Sequence, residues 1–315
     1  MTRVSEAEKR VSRLGAGAPE LAEYQDEPPQ MASGGVGKSG YLRLGFARRG
    51  RRSILQQMER RVPFLVQRAL YWDEAMPQMP CVFVISTSGC VLQGDRLSMD
   101  IHVAPHACGH VTTQSATKIH AMENNYAAQM QTLTLEEGGY LEMMPDPVIP
   151  HCGSRFITDT HITLHPTATL LYSEILLSGR KYHPADRGFR FDVYSSRISA
   201  SNPEGKTLFA ERYVLEPGKL PLNGVGVMGP FDVFGNLILL TPPEHHQRII
   251  ERIAPRYDAA AGIASGVSRL PNDCGLIFKA LGKESRQVKE AIRFFWRVAR
   301  EEILGVTLPE PFLWR

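Results

Sequence analysis

The chain has 315 residues, 43% apolar and 22% charged, the balance of a soluble globular protein with material for a sizeable core. Its formal net charge is +3, from 36 Lys and Arg against 33 Asp and Glu, so nothing in the charge demands nucleic acid. No apolar run approaches the ~20 residues of a membrane span, and the hydrophilic start Met1-Thr2-Arg3-Val4-Ser5-Glu6 lacks a signal region.

Residues 1–40 read as a flexible polar tail. They mix charges, Pro28-Pro29 and a Gly/Ser cluster with few large apolar residues, too little to offset the entropy of ordering. Within them, Ala32-Ser33-Gly34-Gly35-Val36-Gly37-Lys38-Ser39 resembles a phosphate loop with Ala32 in place of the first glycine. A phosphate loop needs a buried strand before it and a helix after it, so that backbone amides cradle the phosphates. Here Gln25-Asp26-Glu27-Pro28-Pro29-Gln30 precedes, and an alternating, strand-like stretch from Gly40 to Phe46 follows. That setting favours a linker over a nucleotide site. The basic run Arg48-Arg49-Gly50-Arg51-Arg52, with Arg60-Arg61 behind it, lacks the aromatic interleaving of RNA binders and reads as a solvated loop.

Alternating runs then follow in pairs. Leu97, Met99, Ile101 and Val103 lead through the turn Pro105 to Gly109 into Val111. Leu133 and Leu135 lead through Glu136-Glu137-Gly138-Gly139 into Tyr140 to Met143. Phe156, Ile162 and Leu164 lead through His165-Pro166-Thr167-Ala168 into Leu170-Leu171-Tyr172. The three strand–turn–strand units recur at a spacing of about 30 residues. A stacked repeat and an antiparallel sandwich of evenly spaced hairpins both fit. Further strands are expected over 190–194, 207–215 and 236–240. Pro242-Pro243 breaks the pattern. Helical spacing runs from Glu244 to Tyr257 and again from Glu284 to Leu304, where Val288, Ile292, Phe295, Trp296, Ala299 and Ile303 share a face. Gly305 fits its C-cap. The fold class is therefore mainly β, with stacked strands in a β-helix-like or two-sheet arrangement and a small C-terminal helical portion. One domain is expected over 41–315, β-rich over 41–241 and mostly helical over 242–315.

The most unusual segment is Thr112-Thr113-Gln114-Ser115-Ala116-Thr117-Lys118-Ile119-His120, with seven polar side chains and two apolar ones in a strand-like region. A surface strand alternates, so this one is an exposed edge or the lining of a polar interior. Asp95 in the Gly94-Asp95 loop, Asp146 between Pro145 and Pro147, and Glu174 inside the apolar run Leu170 to Leu177 are polar residues in similar settings. Pro145 and Pro147 stiffen the backbone around Asp146. A carboxylate in an apolar run is costly unless paired or wet. These residues form either buried ion pairs, with Lys118 as partner, or a polar interior path that handles a cation; the loop, the Asp146 segment and Glu174 favour a lining. No Ser–His–Asp elbow or HExxH accompanies them, so catalysis is unsupported.

Histidines and cysteines give a second set of candidates. His102, His106, Cys108 and His110 share one predicted hairpin, and His151-Cys152 and His245-His246 are adjacent. Imidazole and thiolate suit zinc or nickel, although outward histidines on a hairpin are more often solvated than ligating. The five cysteines, Cys81, Cys90, Cys108, Cys152 and Cys274, form no C-x-x-C pair, which points to a reducing cytoplasm.

Three segments carry a family resemblance: Ser88 to Leu97, Thr112 to Ile119, and Met144-Pro145-Asp146-Pro147-Val148-Ile149-Pro150. Their order and spacing resemble the urease accessory protein UreD (UreH) family, and Glu174-Ile175-Leu176-Leu177-Ser178-Gly179-Arg180 fits a further family segment. The resemblance covers about residues 40–300 and implies a helix-like stack of strands with two helices. It implies a non-enzymatic partner of apo-urease, UreF and the GTPase UreG, with room for a dimer within that complex. It also implies no tightly bound cofactor, and transient nickel carried along an internal channel. Asp95, Ser115, Lys118, Asp146 and Glu174 are the implied path residues. The family usually has glycines where Cys90 and Gln93 stand, and an aromatic where His151-Cys152 stand. Those departures either add nickel ligands or alter packing; with the hairpin histidines, the candidate metal ligands are Cys90, His102, His110, His151 and Cys152. A conduit must hold the ion loosely, and hard oxygen donors do so where several imidazoles and thiolates would trap it.

Overall fold

The computed structural model describes residues 3–26, 39–184 and 188–310. Helix α1 (Arg3–Arg13) comes first, then β1 (Ser39–Arg49), β2 (Arg52–Arg61), β3 (Phe64–Leu65) and β4 (Cys81–Ser86). The first repeat unit is β5 (Arg96–Val103) with β6 (Cys108–Thr113), followed by the short β7 (Thr117–Ile119). The second is β8 (Ala127–Leu135) with β9 (Tyr140–Met143), followed by β10 (Val148–Pro150). The third is β11 (Arg155–Leu164) with β12 (Thr169–Leu177). Then come β13 (Val193–Ser201), β14 (Thr207–Leu215), β15 (Val233–Leu240), α2 (His246–Glu251), β16 (Arg256–Asp258), β17 (Ile263–Arg269), β18 (Gly275–Gly282) and α3 (Ser285–Leu304).

The paired runs are not hairpins. In each unit the turn carries the chain from one sheet to another, so β5, β8 and β11 lie side by side in parallel in a seven-stranded sheet. Likewise β6, β9 and β12 lie parallel in an eleven-stranded sheet. The stacked repeat is thus the arrangement adopted, and β1 and β4 extend it by pairing in parallel with β5 and β6. One consequence is that His102 and His110 lie in different sheets. Cys108, expected in the turn, is buried at the start of β6, where Ser53 Oγ accepts its backbone N–H.

In-register stacking sorts the inward side chains into layers. Ile101, Leu133, Ile162 and Ala200 pair across four strands as one apolar layer, and Val103, Leu135 and Leu164 make the next. These pack against Val82, Leu141, Leu170 and Ile238 of the facing sheet in the main core. Toward the other strand ends the composition changes. Leu97, Gln129, Thr158 and Ser196 share one layer, and Met99, Gln131, Thr160 and Ile198 share another.

Two expectations need correction. Residues 3–26 are not a free tail: Val11 and Leu21 are fully buried against Tyr126, Ala128 and Ile157. Tyr126 donates its hydroxyl to Leu14 O at 2.9 Å, and Ser195 Oγ donates to Glu20 Oε1 at 2.7 Å. Few apolar residues suffice here because they are spaced to fill one groove on the outer face of the first sheet. The phosphate-loop-like positions 32–38 lie outside the described residues. The C-terminal part is also less helical than its spacing suggests. Helix α2 spans only His246–Glu251, and β16, β17 and β18 stand between it and α3. Pro255 has no N–H to donate and disfavours helix in the residue before it, which ends the helical run.

Helix α3 follows the sequence reading closely. Its Glu284 and Gln287 form a capping box, and Gly305 closes it with φ +67°. Val288, Ile292, Phe295, Trp296 and Ala299 pack on the outer face of the second sheet, with Phe295 stacked on Phe278 at 4.9 Å. Close approach requires Gly235, where a Cβ would lie 2.4 Å from Val288 Cγ1. A buried charge network fastens the helix. Arg300 is 1% exposed and Glu142 fully buried. Arg300 donates through Nε to Glu142 Oε1 at 2.9 Å, through Nη2 to Oε2 at 2.8 Å and through Nη1 to Asp73 Oδ2 at 2.6 Å. Trp296 Nε1–H and Tyr140 O–H also donate to Glu142 Oε1, and His110 Nδ1 lies 2.9 Å from Oε2. Burial alone would raise the Glu142 carboxyl, but Arg300 and His110 outweigh it and hold it at about 2.

Arg300→Met should destabilise the protein by about 3–5 kcal/mol, because it leaves Glu142 buried without its cation. The Glu142 pKa lies below its unfolded value of 4.5, so its stabilisation is present above that pH and lost as pH falls toward 2. Urea melts of wild type and variant at pH 7 and pH 3 test this. The gap between them should narrow at pH 3, and an unchanged gap would refute the assignment.

Candidate functional site

The polar layers border a cavity of about 150 Å³ between the two sheets, room for several water molecules. All five residues expected on a cation path, Asp95, Ser115, Lys118, Asp146 and Glu174, line it. They do so in different ways. Asp95 is 1% exposed and accepts the Leu92 N–H through Oδ2 at 2.8 Å, which holds the Gly-Asp turn together. Gly94 adopts φ +78° in that turn, a left-handed conformation suited to glycine. Ser115 and Lys118 are exposed and stand at the rim. Asp146 pairs with Lys289 Nζ of α3 at 3.0 Å, so the ion pair expected with Lys118 is replaced by one across the fold.

The Thr-rich block is both a buried seam and a rim. Strand β6 ends at Thr113, residues 114–116 bend, and β7 starts at Thr117. The buried Thr112 donates its hydroxyl to Met144 O at 2.7 Å, and Thr113 Oγ1 accepts the Asp146 N–H at 2.9 Å. Two hydroxyls therefore fasten the block to the Met144–Asp146 segment. Beyond them the chain leaves the sheet and exposes Gln114 and Ser115.

Glu174 is the chemical centre of the cavity. Ser196 Oγ donates to its Oε1 at 3.2 Å and Tyr172 O–H at 3.4 Å. Gln131 Nε2 donates in turn to Tyr172 OH at 3.1 Å and Thr160 Oγ1 at 3.3 Å. Glu174 Oε2 is buried without a hydrogen bond of ordinary geometry among the described residues, while the Tyr213 hydroxyl lies near enough to the carboxyl to stabilise its charge. Burial pushes the carboxyl up to about 7, with the nearby Glu211 charge adding to the rise. Near neutral pH this group exchanges a proton readily, and a divalent cation arriving at Oε2 would displace that proton. Gln129, Gln131, Thr158, Thr160 and Ser196 escaped the sequence reading because each falls within an ordinary strand. Their common level is visible only once the strands are in register.

The histidine and cysteine candidates are not brought together. Cys90 lines the cavity. His102 Nε2 meets Glu136 Oε1 at 2.7 Å. His110 belongs to the Glu142 network and stacks on Trp296 at 5.5 Å. His151 lies beside His120 at 5.6 Å between ring centres, and Cys152 is exposed. No group of three His, Cys, Asp or Glu among the described residues could hold a metal ion. Apart from the Cys90 thiol and the Lys118 ammonium, the polar groups of the cavity lining are carboxylate, amide, hydroxyl and phenol oxygens, a mostly hard donor set.

The folded pKa of Glu174 exceeds its unfolded value of 4.5. Its contribution to stability is fully present below pH 4.5 and is lost as pH rises through about 7, on the order of 3 kcal/mol in all. Glu174→Gln should remove that loss and be more stable than wild type at pH 8 but not at pH 4.5. Urea melts across that range would expose an unperturbed carboxyl as parallel curves.

A family model described as UreD urease accessory protein matches residues 38–315. A urease accessory protein UreD of Photorhabdus laumondii subsp. laumondii is 77% identical over 312 residues, 99% of this chain and 97% of that one. Those of Yersinia pseudotuberculosis serotype O:1b and Yersinia enterocolitica serotype O:8 are 67% identical over 306 residues and 65% over 312, each across 97% of this chain and 95% of theirs. With motifs, stacked fold and near-full-length identity in agreement, this chain belongs to the UreD family of urease accessory proteins.

Proposed function

We propose that this chain is a non-catalytic scaffold in urease maturation that binds apo-urease together with UreF and the GTPase UreG, and that its interior passes Ni²⁺ toward the urease active site. The observation that supports this most is that Asp95, Ser115, Lys118, Asp146 and Glu174, scattered over eighty residues of sequence, line a single cavity. The donor chemistry suits a cargo held briefly. Oxygen ligands bind Ni²⁺ less firmly than imidazole and thiolate, and the space accommodates water around the ion. Exposed Gln114, Ser115 and Lys118 offer the rim to a partner, a rim that would serve as entrance. Among the described residues no cysteine forms a disulfide, in keeping with work in the cytoplasm. No helix among the described residues is long and apolar enough to cross a membrane.

A second reading keeps the scaffold and drops the conduit. It is favoured by the rim itself, which could dock a partner without passing an ion. Reconstitution with UreF, UreG, apo-urease, Ni²⁺ and GTP separates the two. Glu174→Ala and Asp95→Ala should still assemble with the partners yet activate urease roughly tenfold less or worse, the scale of loss for a removed metal-site group. Full activation by both variants would leave only the scaffold.

A further inference from the structure

Among the described residues the two sheets end in four strands, β14 and β2 on the first and β16 and β3 on the second. Three of these edges are short or met by another group. Strand β16 has three residues and β3 has two, and Asn272 Nδ2 donates to Leu208 O on β14 at 2.8 Å. Strand β2 differs. It runs for ten residues and pairs with β1 alone. Its start is closed, because Ser53 N–H donates to Gln78 O at 3.0 Å and Ser53 O accepts the Tyr71 hydroxyl at 2.9 Å. Beyond Ser53, no backbone–backbone hydrogen bond leaves β2 for a group outside the sheet among the described residues. Residues 56–61 are exposed throughout. An open edge of this length presents a row of N–H and C=O groups to any strand that fits beside it.

The charge along this edge is one-sided. Arg48, Arg49, Arg51 and Arg52 gather at the β1–β2 turn, with Arg49 opposite Arg52, and Arg60 and Arg61 stand at the far end. Arg60 lies eight positions beyond Arg52, about 26 Å along a strand. Between the clusters Gln56, Gln57 and Met58 are neutral and exposed. Among the described residues Arg61 alone of the six arginines forms a salt bridge, with Glu8 of α1. Charges on an edge guard against self-pairing, and here they exclude a second copy of this chain. A centred antiparallel pair would set each Arg52 against the other copy's Arg61, like charge on like. The same spacing attracts a strand with carboxylates at both ends.

We propose that the β2 edge docks an extended segment of another protein, acidic at both ends and neutral between, as an eighth strand of the first sheet. Main-chain hydrogen bonds along residues 55–61 hold the segment, and the two arginine clusters set its register. None of these arginines lines the cavity, so this surface stands apart from the conduit reading.

Fluorescence anisotropy with the full-length chain tests this. The probe is a labelled peptide, Glu-Glu-Thr-Val-Thr-Val-Thr-Val-Glu-Glu. A second version carries prolines at its two central positions, which keeps the charge but removes N–H groups that pairing needs. The first should bind, and more weakly as salt is raised. The proline version should bind about tenfold more weakly or worse, the scale of one or two lost hydrogen bonds. Arg51→Glu combined with Arg60→Glu should lower affinity for the first peptide about tenfold or more, with thermal melts to show that the variant is folded. Amide exchange at residues 55–61 should slow when the peptide is added. No binding of the first peptide would overturn the docking site, and equal binding of both peptides would reduce it to charge attraction and overturn the strand pairing. Wild-type affinity in a folded double variant would do the same to the arginine clusters. A single-stranded oligodeoxynucleotide of equal charge that binds more tightly than the peptide would assign the surface to nucleic acid instead. The proline comparison uses the wild-type chain, so it decides the matter even where the double variant fails to fold.

Discussion

Everything in this fold depends on parallel stacking in register. Each strand–turn–strand unit places one strand in each sheet, and the next unit lies directly on top. A residue therefore shares its level with the residue about one repeat away in the chain, so apolar residues at corresponding positions form a continuous core layer. Polar residues at corresponding positions form a continuous polar layer by the same rule. Ile101, Leu133 and Ile162 illustrate the first case, and Gln131 with Thr160 the second. Side chains of one level cannot be exchanged singly, because each packs or hydrogen-bonds with those above and below it.

Helix α3 packs on the far face of the second sheet. The Arg300–Glu142 contact spans 158 positions of sequence, and Lys289 of the same helix reaches Asp146 beside the cavity. One element thus clamps the sheet and sets the position of a rim carboxylate. The glycines at 235 and 282, which face Val288, allow the helix to sit close enough for both contacts.

The cavity and the Glu142 network show two opposite solutions to burying a carboxylate. Glu142 has a full set of donors and a guanidinium, and stays ionised. Glu174 has hydroxyl donors on one oxygen only, and its pKa rises instead. The first arrangement is rigid and complete. The second is incomplete, with one carboxylate oxygen buried outside any hydrogen bond of ordinary geometry among the described residues.

The sequence by itself determined the element types, the repeat, the amphipathic C-terminal helix, the oddness of Glu174 in an apolar run and the family. Those signals are local: alternation, helical spacing and caps are set within about ten residues, and motif order needs no coordinates. Only the tertiary structure decided that the units stack instead of forming hairpins. It also paired Asp146 with Lys289, placed His110 in a charge network away from any metal cluster, and packed residues 3–26 against the first sheet. Such choices belong to register and packing between distant segments. A one-residue slip in register would turn every inward side chain outward, so no local pattern specifies which polar groups finally meet.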